Sequence, residues 1–111
     1  MGQSSGNIGH SHPTIVKALD QQIDTLSMTS RAFHNNLLYP ASKKLTQHFG
    51  YEKVIFMNTG VEAVETALKF ARRWGYLSKK IPDNRAEVIF PHKCFWGRSI
   101  TANTTNSNEL I

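Results

Sequence analysis

Apolar residues recur at Ile15, Val16, Leu19, Ile23 and Leu26, three or four positions apart for the most part, which is the repeat of a helix with one apolar face. Pro13 suits the first helical position, where its missing N–H costs nothing, so the spacing predicts a helix over 13–26 with that face buried. The following "SMTSRAFHNNLLY" keeps no period and is rich in Ser, Thr and Asn. It predicts a connecting segment with two buried anchors, Phe33 and Leu37, and ordered connections of this length are often sites or interfaces. Pro40 then opens a second predicted helix through Phe49, with Ala41, Leu45 and Phe49 on one side and Gly50 as a left-handed cap.

The pattern changes at "KVIFM", a short apolar run with β-branched residues that predicts a strand buried on both faces. After Asn58-Thr59-Gly60 the helical period returns, with Val64, Ala67, Leu68, Ala71 and Trp74 on one stripe. Lys79 to Arg85, with Pro82 and Asp83-Asn84, breaks it. "AEVIF" predicts a second strand, "PHKCFWGRS" a loop, and "ITANTTNSNELI" a weakly defined tail. Strand, long crossover helix and strand make a right-handed β-α-β unit of a parallel sheet, so the expected class is α/β. Two strands do not stabilise such a sheet, and no repeat or low-complexity linker accounts for the shortfall, which is expected to reflect missing sequence.

The turn between strand and helix admits two readings. Thr59-Gly60-Val61-Glu62 matches a capping box, in which the threonine hydroxyl accepts an early helical N–H and the glutamate reaches back. That accounts for Thr59 and Glu62 without a ligand, with Gly60 there only for a tight turn. The same geometry leaves free N–H groups at the positive end of a helix, where a phosphate can sit. The spacing of glycines fits neither a P-loop nor a dinucleotide fold. Parallel strands should bring "CFWGR" to the same edge. There, two aromatics and an Arg could stack on a flat ring and clamp a carboxylate, or Phe95 or Trp96 could plug the core while Arg98 makes a surface pair.

Taken together, "GHSHP", "TSRAFHNN", "MNTGVEAVETALKFARRWGY" and "FWGR" resemble the class III aminotransferases, and within them the ornithine branch, over nearly the whole chain from Asn7 to about Thr105. The resemblance implies the large domain of a fold-type I pyridoxal 5'-phosphate enzyme, with a mixed sheet covered by helices on both faces. It implies a homodimer or higher assembly that moves the δ-amino group of ornithine to 2-oxoglutarate. Carried onto this chain, it places the cofactor phosphate on the backbone N–H groups of Gly60 and Val61, stacks Phe95 on the pyridine ring and gives the substrate carboxylate to Arg98. Another ω-amino acid aminotransferase of the same class is the alternative.

Such chemistry also needs a lysine bonded to the cofactor and an acid opposite the pyridine nitrogen. The eight lysines, Lys17, Lys43, Lys44, Lys53, Lys69, Lys79, Lys80 and Lys93, fall outside the family's lysine motif. No catalytic residue is therefore assigned, and the chain is expected to be a partial large domain over 7–111, lacking the small domain and inactive alone. Residues 1–6, "MGQSSG", replace a segment where the ornithine branch carries a pocket tyrosine, so this start is expected to be altered or artificial. A non-catalytic truncated piece that docks on an intact subunit is the other reading.

Bulk properties narrow the remaining classes. A net charge of +5 and a pI near 9.6 would suit a polyanion, but the basic residues fall in short pairs, Arg72-Arg73 and Lys79-Lys80, without an aromatic platform, so no nucleic acid is expected. The single Cys94 makes no internal disulfide and is expected to be a packed thiol in a reducing compartment. His10 and His12 lack a third ligand, so no metal is expected. Asn103-Thr104-Thr105 matches a glycosylation acceptor, idle in a cytosolic protein. With no long apolar run, no myristoylation pattern and no Arg-rich leader, neither a membrane span nor a lipid anchor is expected, and the location is expected to be cytoplasmic.

Overall fold

The computed structural model describes residues 6–105; the altered start expected over 1–6, Gly6 apart, and the tail beyond Thr105 lie outside them. Four helices are present: α1 (Pro13–Leu26), α2 (Leu38–Phe49), α3 (Gly60–Leu77) and α4 (Ile100–Thr105). The chain divides into two compact units between Val54 and Ile55.

In the first unit α1 has the predicted bounds, with Pro13 in its first turn. Gln22 Nε2 donates to the Leu26 carbonyl at 2.7 Å and to Asn36 Oδ1 at 3.1 Å, tying the last turn to the connecting segment. The helix α2 starts at Leu38, two residues before the predicted Pro40, because Asn35 sets the first turn. Asn35 Oδ1 accepts from the Leu37 N–H at 2.8 Å, and its carbonyl accepts from the Leu38 N–H at 3.3 Å. Pro40 then falls at a position whose N–H would have no helical partner anyway. Gly50 closes α2 in the left-handed conformation (φ 72°, ψ 28°), as expected, and Thr46 O accepts from both the Gly50 and Tyr51 N–H groups.

The expected burial does not follow. Ile15, Leu19 and Ile23 stay half or more exposed, and Phe33 and Leu37, expected as buried anchors, are 70% and 47% exposed. An apolar stripe is buried only against another element, and no helices pack along each other here among the described residues.

In the second unit α3 ends at Leu77, where Ser78 and Lys79 donate to the Trp74 carbonyl at 2.8 and 3.2 Å. The chain returns along the last turns: the Ile81 N–H donates to Gly75 O at 3.1 Å, and the Ala86 N–H to Tyr76 Oη at 3.3 Å. Gly75 is buried there, since a Cβ on it would lie 3.1 Å from Ile81 Cδ1. Arg72 stands over the Tyr76 ring at 5.1 Å and Lys79 over Trp74 at 5.0 Å, so one member of each basic pair is held by an aromatic face. On the predicted stripe Val64 and Leu68 are half-buried, whereas Ala67, Ala71 and Trp74 are exposed.

Two expectations are corrected in this unit. The described residues contain no strand: the runs 54–57 and 86–90 make no ladder, and Ile55, Phe56, Val88 and Ile89 are exposed. Strand pairing needs neighbouring backbone, and a parallel sheet needs both faces covered; these runs have neither. Conversely, the described part of the tail expected to be weakly defined forms α4 (Ile100–Thr105). Ser99 starts it, its Oγ accepting from the Ala102 N–H at 3.2 Å and its carbonyl from Asn103 at 2.9 Å. Ala102, fully covered, is the one buried apolar side chain among the described residues.

Candidate functional site

The turn at Asn58-Thr59-Gly60 is organised by Glu62. Thr59 is extended (φ −137°, ψ 161°), and its Oγ1 accepts from the Glu62 N–H at 3.2 Å. In return Glu62 Oε2 accepts from Asn58 N at 2.9 Å and Thr59 N at 3.0 Å, completing the capping box. The Ala63 N–H already donates to the Thr59 carbonyl at 3.1 Å. Of the N–H groups at this helix start, those of Gly60 and Val61 are left without an acceptor among the described residues. Gly60 lies in open space, with nothing within 4 Å of where a Cβ would stand, and its φ is not positive. Tight-turn geometry therefore does not require a glycine there, while close approach of a ligand to the backbone does. The two donors and the clear space above them fit a phosphate group.

The second edge reaches the first through Gly97. A Cβ on Gly97 would overlap the Val61 side chain, so the loop carrying Phe95 and Arg98 lies against the first turn of α3. Between the alternatives for the two aromatics, Trp96 is the packed one. It is half-buried, stacks on Phe90 at 5.9 Å with the rings 6° apart, and donates from Nε1 to Thr105 Oγ1 at 2.9 Å. Phe95 is 59% exposed, leaving a ring face open. Arg98 is exposed, and the surface pair offered as its alternative finds no partner among the described residues.

Other candidates resolve into packing. Cys94 is half-buried with Sγ 3.8 Å from the Thr105 carbonyl. No group of three or more His, Cys, Asp or Glu able to hold a metal occurs among the described residues. A groove of about 400 Å³ in the second unit is lined by Leu68, Val88 and Phe90 with Glu65, Lys69 and Arg72 beside them, and none of Gly60, Val61, Phe95 or Arg98 lines it. Sequence reasoning placed Gly97 at this edge within "CFWGR" but missed its contact with α3, and it missed Thr105 as the acceptor for Trp96. A glycine between Trp96 and Arg98 is a visible sign of close approach, but its contact lies 36 residues back in the chain.

The chain is similar to known proteins over nearly its whole length. The Aminotransferase class-III family model matches residues 1–110. The chain is 50% identical over 105 residues to the mitochondrial ornithine aminotransferase of Drosophila ananassae, covering 95% of this chain and 24% of that protein. It is 49% identical to the ornithine aminotransferase of Halalkalibacterium halodurans, covering 96% and 27%. A solved structure of ornithine aminotransferase from Toxoplasma gondii, with PLP at partial occupancy in its active site, superposes with a TM-score of 0.87 at 45% identity, over 95% of this chain and 25% of that one. The chain thus spans about a quarter of the length of these relatives. Matched over nearly its full length, it belongs to the class III aminotransferases.

Proposed function

We propose that this chain is the part of an ornithine aminotransferase large domain, over residues 7–111, that grips the phosphate of pyridoxal 5'-phosphate and covers its ring. In that reading the Gly60 and Val61 N–H groups donate to the phosphate, the Phe95 face lies on the pyridine, and the Arg98 guanidinium pairs with the substrate carboxylate. The observation that carries it is the pair of unclaimed amides below open space at Gly60. When bound, the cofactor supplies the electron sink for amino-group transfer. This chain's residues hold and orient; none of its eight lysines is assigned the bond to the cofactor.

The substrates proposed are ornithine and 2-oxoglutarate, on the strength of the names the relatives carry, and the assembly proposed is a homo-oligomer. In the complete domain, residues 54–57 and 86–90 are proposed to pair with further strands and restore the α/β sheet. The lone Cys94 supports a reducing compartment, which the proposed cytoplasm and a mitochondrial matrix both provide. The exposed apolar faces favour one second reading, a non-catalytic piece that docks on an intact subunit.

Gly60→Pro tests the phosphate seat. Proline suits the first helical position, the extended Thr59 suits a residue before proline, and open space receives the ring, so the helix stands while one donor is lost. Pyridoxine 5'-phosphate, which has no aldehyde to condense with lysines, is the probe. A charge-assisted hydrogen bond is worth roughly 1.5–3 kcal/mol, so binding should weaken about tenfold or more with helix content unchanged. Equal binding by both proteins would remove the seat.

A further inference from the structure

We propose that Gly97 is the joint that seats the Phe95–Arg98 arm against the amide turn of α3, and so sets the ring and carboxylate contacts separately from the phosphate contacts. The proposal rests on the cofactor reading above. Gly97 has φ +154°, a conformation that strains other residues. A Cβ there would stand 2.6 Å from Val61 Cβ, nearer still to Val61 Cγ2, and 3.6 Å from Ala102 Cβ.

Val61 sits in the first turn of α3 and Ala102 is fully covered in α4, so the backbone at Gly97 is held between two helices by the absence of its own side chain. Phe95 lies two residues before this joint and Arg98 one after. The amides of Gly60 and Val61 are fixed independently by the Thr59–Glu62 capping box. Any group added at Gly97 must push the arm away, because the other side of the contact is a helix start braced by its own hydrogen bonds. The phosphate donors stay; the ring face and the guanidinium move.

Two probes separate these parts in the full 111-residue chain: inorganic phosphate needs only the amides, and pyridoxine 5'-phosphate also needs the ring face. Gly97→Ala should lower the preference for pyridoxine 5'-phosphate over phosphate by about two- to tenfold, the worth of one stacked ring, with phosphate affinity unchanged. Val61→Ala, which takes away the Cγ2 methyl facing Gly97 and keeps Cβ, should lower the same preference by a smaller factor while keeping the fold. Loss of phosphate and pyridoxine phosphate affinity in equal proportion, or an unchanged preference in both variants, would overturn the proposal. If the unsubstituted chain binds neither probe, the cofactor reading fails and the joint is read without ligand. There, Gly97→Ala should shift the Arg98 and Phe95 amide resonances and leave that of Gly60 in place, and an unmoved Arg98 would overturn it.

Discussion

Glu62 does two opposing things at the start of α3. Its carboxylate binds the Asn58 and Thr59 N–H groups and complements the helix dipole, yet it also sets a negative charge beside the two amides proposed to receive a phosphate. The two amides of the seat stay unclaimed but lie beside that charge, and the charge can be separated from the hydrogen bonds. Glu62→Gln keeps an oxygen for Asn58 and Thr59 and should tighten phosphate binding roughly two- to fivefold at low salt, with the gain fading as salt rises. An isothermal titration at two ionic strengths checks this, and weaker binding would contradict it. Thr59→Ala, by contrast, removes the acceptor for the Glu62 N–H and should cost about 1 kcal/mol of helix stability, visible as lost helicity. Much of this turn was legible in the sequence, because a Thr and a Glu three apart name both partners of a local motif. That Gly60 needs no special backbone angle was not, since glycine has two uses and only coordinates tell open space from a left-handed turn.

Among the elements, the legible ones are those whose hydrogen bonds close within a few residues. The bounds of α1, the left-handed cap of α2 and the end of α3 before Lys79 all follow from local signals. The start of α2 lies before the proline signal at Pro40 because the Asn35 turn, five residues earlier, already brings the chain into the helix. The two apolar runs that predict strands carry the right side chains but depend on backbone from elsewhere, so pattern alone makes no ladder. The helix α4 lay hidden because its start is Ser99 and its hold is remote: Thr105 takes the Trp96 indole N–H, and Ala102 fills space under Gly97. Trp96→Phe keeps a ring to stack on Phe90 and drops that hydrogen bond, so it should cost about 1 kcal/mol and fray α4 first. Hydrogen exchange reads the result: faster exchange at residues 103–105 with α3 unchanged is expected, and uniform change would contradict it.

At the scale of the whole molecule, the dominant fact is uncovered apolar surface. In the first unit Ile15, Leu19 and Ile23 are half or more exposed, and in the second Ile55, Val88 and Phe95 are too. Ile89 is 96% exposed and Phe56 47%, in the runs the sequence marks for burial on both faces. A surface of this kind recruits cover. The chain alone should bind a hydrophobic dye. Co-expression with the unmatched three quarters of a relative should suppress that binding, and a dye-silent chain would contradict the account. The class III family match supplies the context, since the relatives are about four times as long as the matched part.

The N–H groups of Gly60 and Val61 are proposed to receive a phosphate, and everything else in the site is arranged around them. The most direct measurement is an amide-resolved NMR titration of the chain with pyridoxine 5'-phosphate. The Gly60 and Val61 resonances should move together, saturate in parallel and return when inorganic phosphate competes. Resonances at these two positions that stay still while the ligand binds elsewhere would contradict it.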